Sequence, residues 1–523
     1  MRGRSTSRWL LACAAFVLSL SFAATASADS YIVLYKGNAV PSSARADVQQ
    51  AGGTFVGAYD KIGVAIARSD SAAFAGKLGK DNRVEGVSST AAFASKLQEP
   101  SGGDAEAAAG PQPGELPNAP ATDGDSLSPF QWDMRQIHTP QAHAVTGGSR
   151  SVVVGDIDTG LDYRHPDLRA NVSDADSADC TSGVAEPGAA AADDDNGHGT
   201  HTAGTIAAAS NGAGIVGVAP NVRVAGIKAG RADGLFFPEA VVCSFMWAGE
   251  RKLDVTNNSY FADPYEYNCR NDKTQHAIWK AEQRAIKYAQ SQGVTVVASA
   301  GNDSDDISHP TRDVTSPDDP PGSAEEREIH NNCVVVPVEV SGVVGVSATG
   351  STFQDTSEGE YRDNLKSFYS SFGVSGVDVT APGGDSVYFT TESVNGRVLS
   401  TYPSNLPCAR SRKEPTGDAT YPTAQYCYLQ GTSMAAPHVA GVAALIVSRF
   451  GKADGTGARM SAGAVAARLG NTADPQACPG TLPPNYLTFT GVNSGAVQQC
   501  QGGSGSNSWY GNGQVDALNA IGG

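Results

Sequence analysis

Val152-Val-Val-Gly-Asp-Ile-Asp158-Thr-Gly160 decides how the rest of the chain is read. It is a short apolar run that ends on a carboxylate and a glycine turn. Such unbroken Val/Ile runs belong to strands buried on both faces, which is the signature of a parallel sheet. Similar runs recur at Val222–Ile227, Val294–Ser299 and Val343–Ala348. Between them the pattern turns helical, near Thr202–Ala209, Pro238–Arg251, Thr274–Gln292 and Met434–Phe450. Strands alternating with helices predict an α/β unit over 129–523, its parallel sheet covered by helices on both faces.

Upstream the pattern differs. Tyr31–Tyr35 reads as a strand and Ser42–Gln50 as a short amphipathic helix. Thr54–Arg68 alternates like two strands about a turn at Asp60-Lys61, and Ser71–Leu78 is helical again. Residues 29–95 therefore form a small α+β module. The stretch 96–128 is acidic and rich in Pro, Gly and Ala, with few large apolar residues, as a cleavable linker would be. Residues 1–28 carry Arg2, Arg4 and Arg8, an apolar run from Leu10 to Leu20, and Ala26-Ser27-Ala28. This is the layout of a secretory signal peptide cut after Ala28.

The composition excludes several classes. In 523 residues, 37 Lys and Arg against 54 Asp and Glu leave a net charge of −17. That surface repels phosphate backbones, so no nucleic-acid partner is expected. No membrane association is expected once the signal is removed. Of nine cysteines, Cys13 leaves with the signal. The remaining even set suggests four disulfides, for which 105 pairings exist. Cys408–Cys427 and Cys478–Cys500 are the local pairs expected, each closing a polar excursion.

Three segments carry chemistry. Asp158 ends a strand; Asn196-Gly-His198-Gly-Thr-His201 opens a helix; Gly431-Thr-Ser433-Met-Ala-Ala-Pro437 opens another. One edge of a parallel sheet is where such folds hold ligands. Asp, His and Ser gathered there could orient an imidazole, move a proton and attack a carbonyl. An α/β-hydrolase esterase and an inactive binding protein are the alternatives. Gly431-Thr-Ser433-Met-Ala435 matches only half of the esterase Gly-x-Ser-x-Gly elbow, and the order Asp, His, Ser differs from that class. An intact Asp, His and Ser set argues against inactivity.

These segments, with Ala298-Ser-Ala-Gly-Asn302 and Tyr510-Gly-Asn-Gly-Gln-Val-Asp516, resemble the secreted subtilisin-like serine peptidases (subtilases). The resemblance implies an endopeptidase acting on proteins, with Ser433 as nucleophile, His198 as base, Asp158 as its orienter and Asn302 as oxyanion donor. It also implies that 29–95 is a ferredoxin-like inhibitory pro-domain, the chain's own intramolecular partner, cut off within 98–128. A monomer without a catalytic cofactor is expected. One structural calcium is implied at Asp167 and Asn211, with the carbonyls of Ala209, Ala213 and Ile215; Ser128 stands where the family places a Gln ligand. Asp193-Asp-Asp-Asn196 is either a second calcium loop or a solvated acidic loop.

The remaining polar residues are read as structural. His201, His438 and His165 are expected to pack or to turn the chain, and Asp156 to face away from Asp158. The sequons at Asn257 and Asn302 lie where the family's cleft would be. Ser259-Tyr-Phe-Ala262 resembles a cleft strand; its two rings either narrow the pocket or pack into the insertion bearing Cys269.

Overall fold

The computed structural model describes residues 28–90, 95–97, 124–261, 265–317, 322–351, 354–356, 359–361, 365–388, 395–451, 460–483 and 485–522. The stretch before Ala28, expected to be a signal peptide, and most of the expected linker 96–128 lie outside the described residues.

The central sheet has eight strands. In spatial order they are Val379–Pro382, Val344–Thr349, Thr295–Ser299, Val255–Asn258, Val153–Asp158, Arg223–Lys228, Ala178–Asp179 and Glu186–Pro187. All neighbours pair parallel except the last two. Strand alternation sends side chains into two separate cores. Val152, Val154, Val224 and Val297 pack under the helices His198–Ala207 and Thr432–Ile446. Val153, Ile157, Ala225 and Ile227 pack under Pro238–Arg251 and Lys273–Ser291. The second of those helices shows why it forms. Asp272 caps it by accepting from the Thr274 and Gln275 N–H groups, and Ala277, Ile278, Ala281, Ala285, Ile286 and Ala289 make one buried stripe. Truncating Ile286 to Ala would cost about 2–5 kcal/mol.

The sheet expected from sequence is present, with additions. Val255–Asn258 lies at its centre although only Val255 is apolar, and Val379–Pro382 forms one edge. The helix expected at Thr202 starts at His198 itself, and Ala462–Thr472 is a further helix. The stretch Thr432–Gly451 is apolar enough to cross a membrane, but 89% of the relevant window is buried inside the fold.

The N-terminal module is a four-stranded antiparallel sheet ordered Thr54–Tyr59, Val64–Ser69, Asp29–Tyr35, Val84–Ser89. The last strand is absent from the sequence reading. Tyr31, Val33 and Tyr35 face the module's own helices, Ala44–Ala51 and Phe74–Leu78. Ile32, Leu34, Val64 and Ile66 face the other way, into the core shared with Pro238–Arg251 and Lys273–Ser291. A charged seam closes that interface: Glu85 meets Lys280, His276 at 3.1 Å and Arg284 at 3.3 Å.

All eight cysteines other than Cys13 are paired: Cys180–Cys243, Cys269–Cys333, Cys408–Cys427 and Cys478–Cys500. The last two are the local pairs expected from the sequence.

Candidate active site

The site grows from the edge where the parallel strands end. Asp158 is the last residue of its strand and fully buried. Its Oδ1 accepts from the Thr159 N–H at 2.7 Å and meets His198 Nδ1 at 2.8 Å. The chains approach closely here because Gly199 has no side chain; a Cβ would lie 2.2 Å from the Gly160 carbonyl oxygen. Asp194 locks the approach. It accepts from Thr159 Oγ1 on one side, and from the Gly197 N–H and the Thr200 N–H and Oγ1 on the other. It therefore fills the role of the missing N-cap side chain at Gly197. The acidic run 193–195 is thus not simply solvated: Asp194 is buried, Asp193 pairs with Arg164, and Asp195 with Lys228.

Burial alone would lower the His198 pKa, but the charge and hydrogen bond of Asp158, with Asp156 and Asp194 behind it, raise it above 6.5. His198 and Ser433 keep 9% and 8% exposure, against none for Asp158. An imidazole oriented by Nδ1 can still exchange a proton at Nε2.

Ser433 is the second residue of its helix. Its hydroxyl donates to the Ser259 carbonyl at 3.1 Å, and the Ser259 hydroxyl donates back to the Ser433 carbonyl at 2.9 Å. The Ser433–His198 bond is not made in this resting geometry, as is common before substrate binds. Asn302 is clamped beside them: its Oδ1 accepts from both the N–H and Oγ1 of Thr432, each at 2.9 Å. That grip fixes the direction of the amide donors at Nδ2.

Asp156 corrects an expectation. It does not face away from Asp158, because residues i and i+2 of a strand share a face. It accepts from Thr202, one turn beyond His198, at 2.7 Å, and from Asn257 at 2.9 Å. Burial, then the charge of Asp158, push its pKa well up. It braces the helix that carries His198. The histidines expected to be structural are buried and bonded. His201 donates to the Cys427 carbonyl, His165 contacts the Gln425 carbonyl, and His438 lies between Asp133 and the Met434 carbonyl. Asn257 is fully buried, which rules out a glycan there. Tyr260 stacks on Phe236 at 4.4 Å, and Phe261 packs with Cys269 into the core.

The two side chains expected to hold calcium, Asp167 and Asn211, are engaged by protein groups in this structure. Calcium needs a ring of oxygens, whereas donors surround Asp167. Asn211 Nδ2 reaches Oδ1 at 3.2 Å; the Ile215 N–H and Tyr426 O–H reach Oδ2 at 3.1 and 3.0 Å. Asn211 turns its own Oδ1 to the Ala213 N–H. Burial raises the Asp167 pKa to about 7, against the donors Ile215, Asn211 and Tyr426, which pull it down.

The sequence pattern of the Subtilase family (Peptidase_S8) matches residues 149–513. The chain belongs to this family of subtilisin-like serine peptidases. Subtilisin DY of Bacillus licheniformis is 32% identical over 332 residues, 64% of this chain and 89% of that protein. Fervidolysin of Fervidobacterium pennivorans is 29% identical over 347 residues, 64% of this chain and 40% of its own length. The crystal structure of fervidolysin, described as a keratinolytic enzyme related to subtilisin, shares the fold over 95% of this chain and 62% of that one, with a TM-score of 0.62 and 22% identity. The epidermin leader peptide processing serine protease of Staphylococcus aureus shares it over 95% and 98%, with a TM-score of 0.61 and 20% identity.

Proposed function

We propose that the protein is a secreted serine endopeptidase, made as a self-processing zymogen, that cleaves protein substrates through an acyl-enzyme on Ser433. The observation that carries this is the buried 2.8 Å Asp158–His198 pair at the strand edge where the Ser433 helix begins. In the proposed cycle Ser433 Oγ attacks the scissile carbonyl and His198 Nε2 takes its proton. His198 then protonates the leaving amine, and water repeats the sequence to release the acid. Asp158 keeps the Nδ1–H tautomer and stabilises the imidazolium. The Asn302 amide and the Ser433 N–H receive the oxyanion. Casein hydrolysis blocked by a serine-directed phosphonate, and abolished in Ser433→Ala, is expected; comparable proteolysis by the mutant would refute the reading.

The zymogen reading rests on the chain that leaves the N-terminal module. Ser95–Lys96 pairs antiparallel with Leu235–Phe236, and the Leu97 N–H donates to the Gly234 carbonyl at 2.9 Å. Leu97 then lines a cavity with His198, Tyr402 and Leu429. A peptide held this way occupies the acyl side of a protease cleft like a substrate strand. The module would thus inhibit the enzyme until the tether 98–128 is cut. Ser433→Ala made in a protease-deficient host should accumulate with Asp29 at its N-terminus. If it is instead trimmed like the wild type, another protease does the cutting.

A further inference from the structure

Asn302 is held from behind as well as by its side chain. The segment Lys366-Ser-Phe-Tyr-Ser-Ser371 lies against the turn that carries it. The Ser371 N–H donates to the Gly301 carbonyl at 2.9 Å, and the Ser371 hydroxyl accepts from the Asp303 N–H at 3.2 Å. That hydroxyl also receives the Asp305 N–H at 3.4 Å. Between them Ser304 sits in the left-handed region at φ +59°. Its N–H donates to the Tyr369 carbonyl and its hydroxyl to the Phe368 carbonyl, each at 2.8 Å. Ser371 is fully buried, and a Cβ on Gly301 would meet its Oγ at 3.4 Å.

One residue thus grips both peptide planes that flank the Asn302 α-carbon. A peptide plane is rigid, and only φ and ψ lie between two of them. Tying down the Gly301 carbonyl and the Asp303 N–H therefore fixes the backbone of Asn302. Thr432 fixes the rest. Its hydroxyl accepts from the Gly301 N–H at 3.2 Å, while that hydroxyl and the Thr432 N–H both hold the Asn302 Oδ1. Backbone and side chain are set by different elements.

Ser371 is placed in turn by a buried lysine. Lys366 has no exposed surface, and its Nζ donates to the Ser367 and Ser370 carbonyls at 3.0 and 2.7 Å. The Ser370 N–H also returns to the Ser367 carbonyl at 3.0 Å. These bonds close residues 367–370 into a turn and satisfy its carbonyls in a buried place. Burial presses the Lys366 pKa well down, yet a neutral amine keeps the two N–H donors that two carbonyls need. We propose that Ser371, seated by Lys366, is a positioning residue for the oxyanion step: it sets the backbone of Asn302 so that the amide meets the charge developing on the scissile carbonyl. The inference rests on the Ser433–Asn302 reading given above. Oxyanion donors act by being aimed in advance, so an error in aim costs turnover rather than affinity.

The test is a double-mutant cycle in the processed enzyme with one peptide substrate. Ser371→Ala keeps the backbone N–H and removes the acceptor for Asp303. Its kcat should fall about tenfold, the scale of one buried hydrogen bond, with KM within about twofold. In the Asn302→Ala background the same substitution should change kcat by less than about twofold, because the donor it aims is gone. Lys366→Met, which keeps the stem and removes the donors, should also lower kcat, and should add less than about twofold to the loss in Ser371→Ala. An unchanged kcat in Ser371→Ala overturns the proposal, as does a loss as large without Asn302 as with it. A loss confined to KM overturns it too. Losses that multiply in full between Lys366→Met and Ser371→Ala overturn the part given to Lys366. An Asn302→Ala enzyme as fast as the wild type would instead overturn the Asn302 reading beneath it.

Discussion

Among the described residues are two buried histidine–aspartate pairs of nearly equal geometry and unlike surroundings. His198 Nδ1 lies 2.8 Å from Asp158, and His438 Nε2 lies 3.0 Å from Asp133. In the second pair Nδ1 is also committed, to the Met434 carbonyl at 2.8 Å, and both side chains are fully buried. His438 ties the Ser433 helix to the segment Trp132–Gln136 and has no nitrogen left for chemistry. His198 sits at a strand edge with one nitrogen bonded and the ring partly exposed. An imidazole and a carboxylate do not make a base. A second nitrogen that is reachable does.

The sharpest way to break this contrast is to remove each histidine in turn. His198→Ala should lower kcat/KM by on the order of 10⁶, the scale on which triad members act as a unit. His438→Ala should lower it by less than about tenfold, or roughly 1.4 kcal/mol. Stability should not follow that order. Asp133→Asn or His438→Ala, measured by denaturant unfolding on the Ser433→Ala background to prevent self-digestion, should cost about 3–5 kcal/mol as a broken buried pair. His198→Ala also unpairs a fully buried carboxylate, Asp158, and should lower the midpoint as well. Equal activity losses at the two sites would end the distinction. Asn302→Ala comes next, at about 10²–10³ in kcat, the usual cost of one oxyanion donor. A loss confined to KM would show that Asn302 only holds the ground state.

How much of this was legible follows from what each residue leans on. Asp158, His198 and Ser433 announce themselves locally, at a strand end and two glycine-flanked helix starts. The parallel sheet was equally plain where Val and Ile run together. Val255-Thr-Asn-Asn258 was not, because its place comes from two flanking strands rather than its own composition. Val84-Glu-Gly-Val-Ser-Ser89 was silent for the same reason: it is a strand because Asp29–Tyr35 pairs with it. Asp156 was legible but misjudged, since a period of two places it beside Asp158. Asp194 hides among three consecutive aspartates, and only the fold separates the one that caps the His198 helix.

The pH dependence sharpens the same comparison. In the proposed cycle His198 must be neutral to accept the Ser433 proton, and its pKa is raised in the folded protein. The acid limb of kcat/KM should therefore lie above pH 6.5, with activity lost as pH falls through the raised value. Asp158→Asn removes the charge that raises it, so the residual activity should show its acid limb at lower pH. Asp133→Asn, which touches the other pair, should leave the limb where it is. Movement of the limb in both variants would mean that the two pairs titrate together.

The smallest effect expected is at Asp167, a buried carboxyl tied by donors instead of a histidine. Its pKa rises from 3.8 to about 7 on folding, so the folded state binds the proton more tightly than the unfolded chain. The resulting stabilisation is fully present below pH 3.8 and is lost as pH rises through 7. Asp303 and Asp305, also raised by burial, bend the curve the same way. Only the difference between wild type and Asp167→Asn isolates this residue: on the Ser433→Ala background the wild type should lose more stability than Asp167→Asn between pH 5 and 8. The same protein tests the metal. An ion bound at 100 times its Kd adds about 2.7 kcal/mol, which a chelator would remove. With Tyr426 and Ile215 donating to Asp167, chelation at pH 8 should leave the unfolding midpoint unchanged. A fall of that size, reversed by added calcium and absent in Asp167→Asn, would mean that those donors give way to the ion.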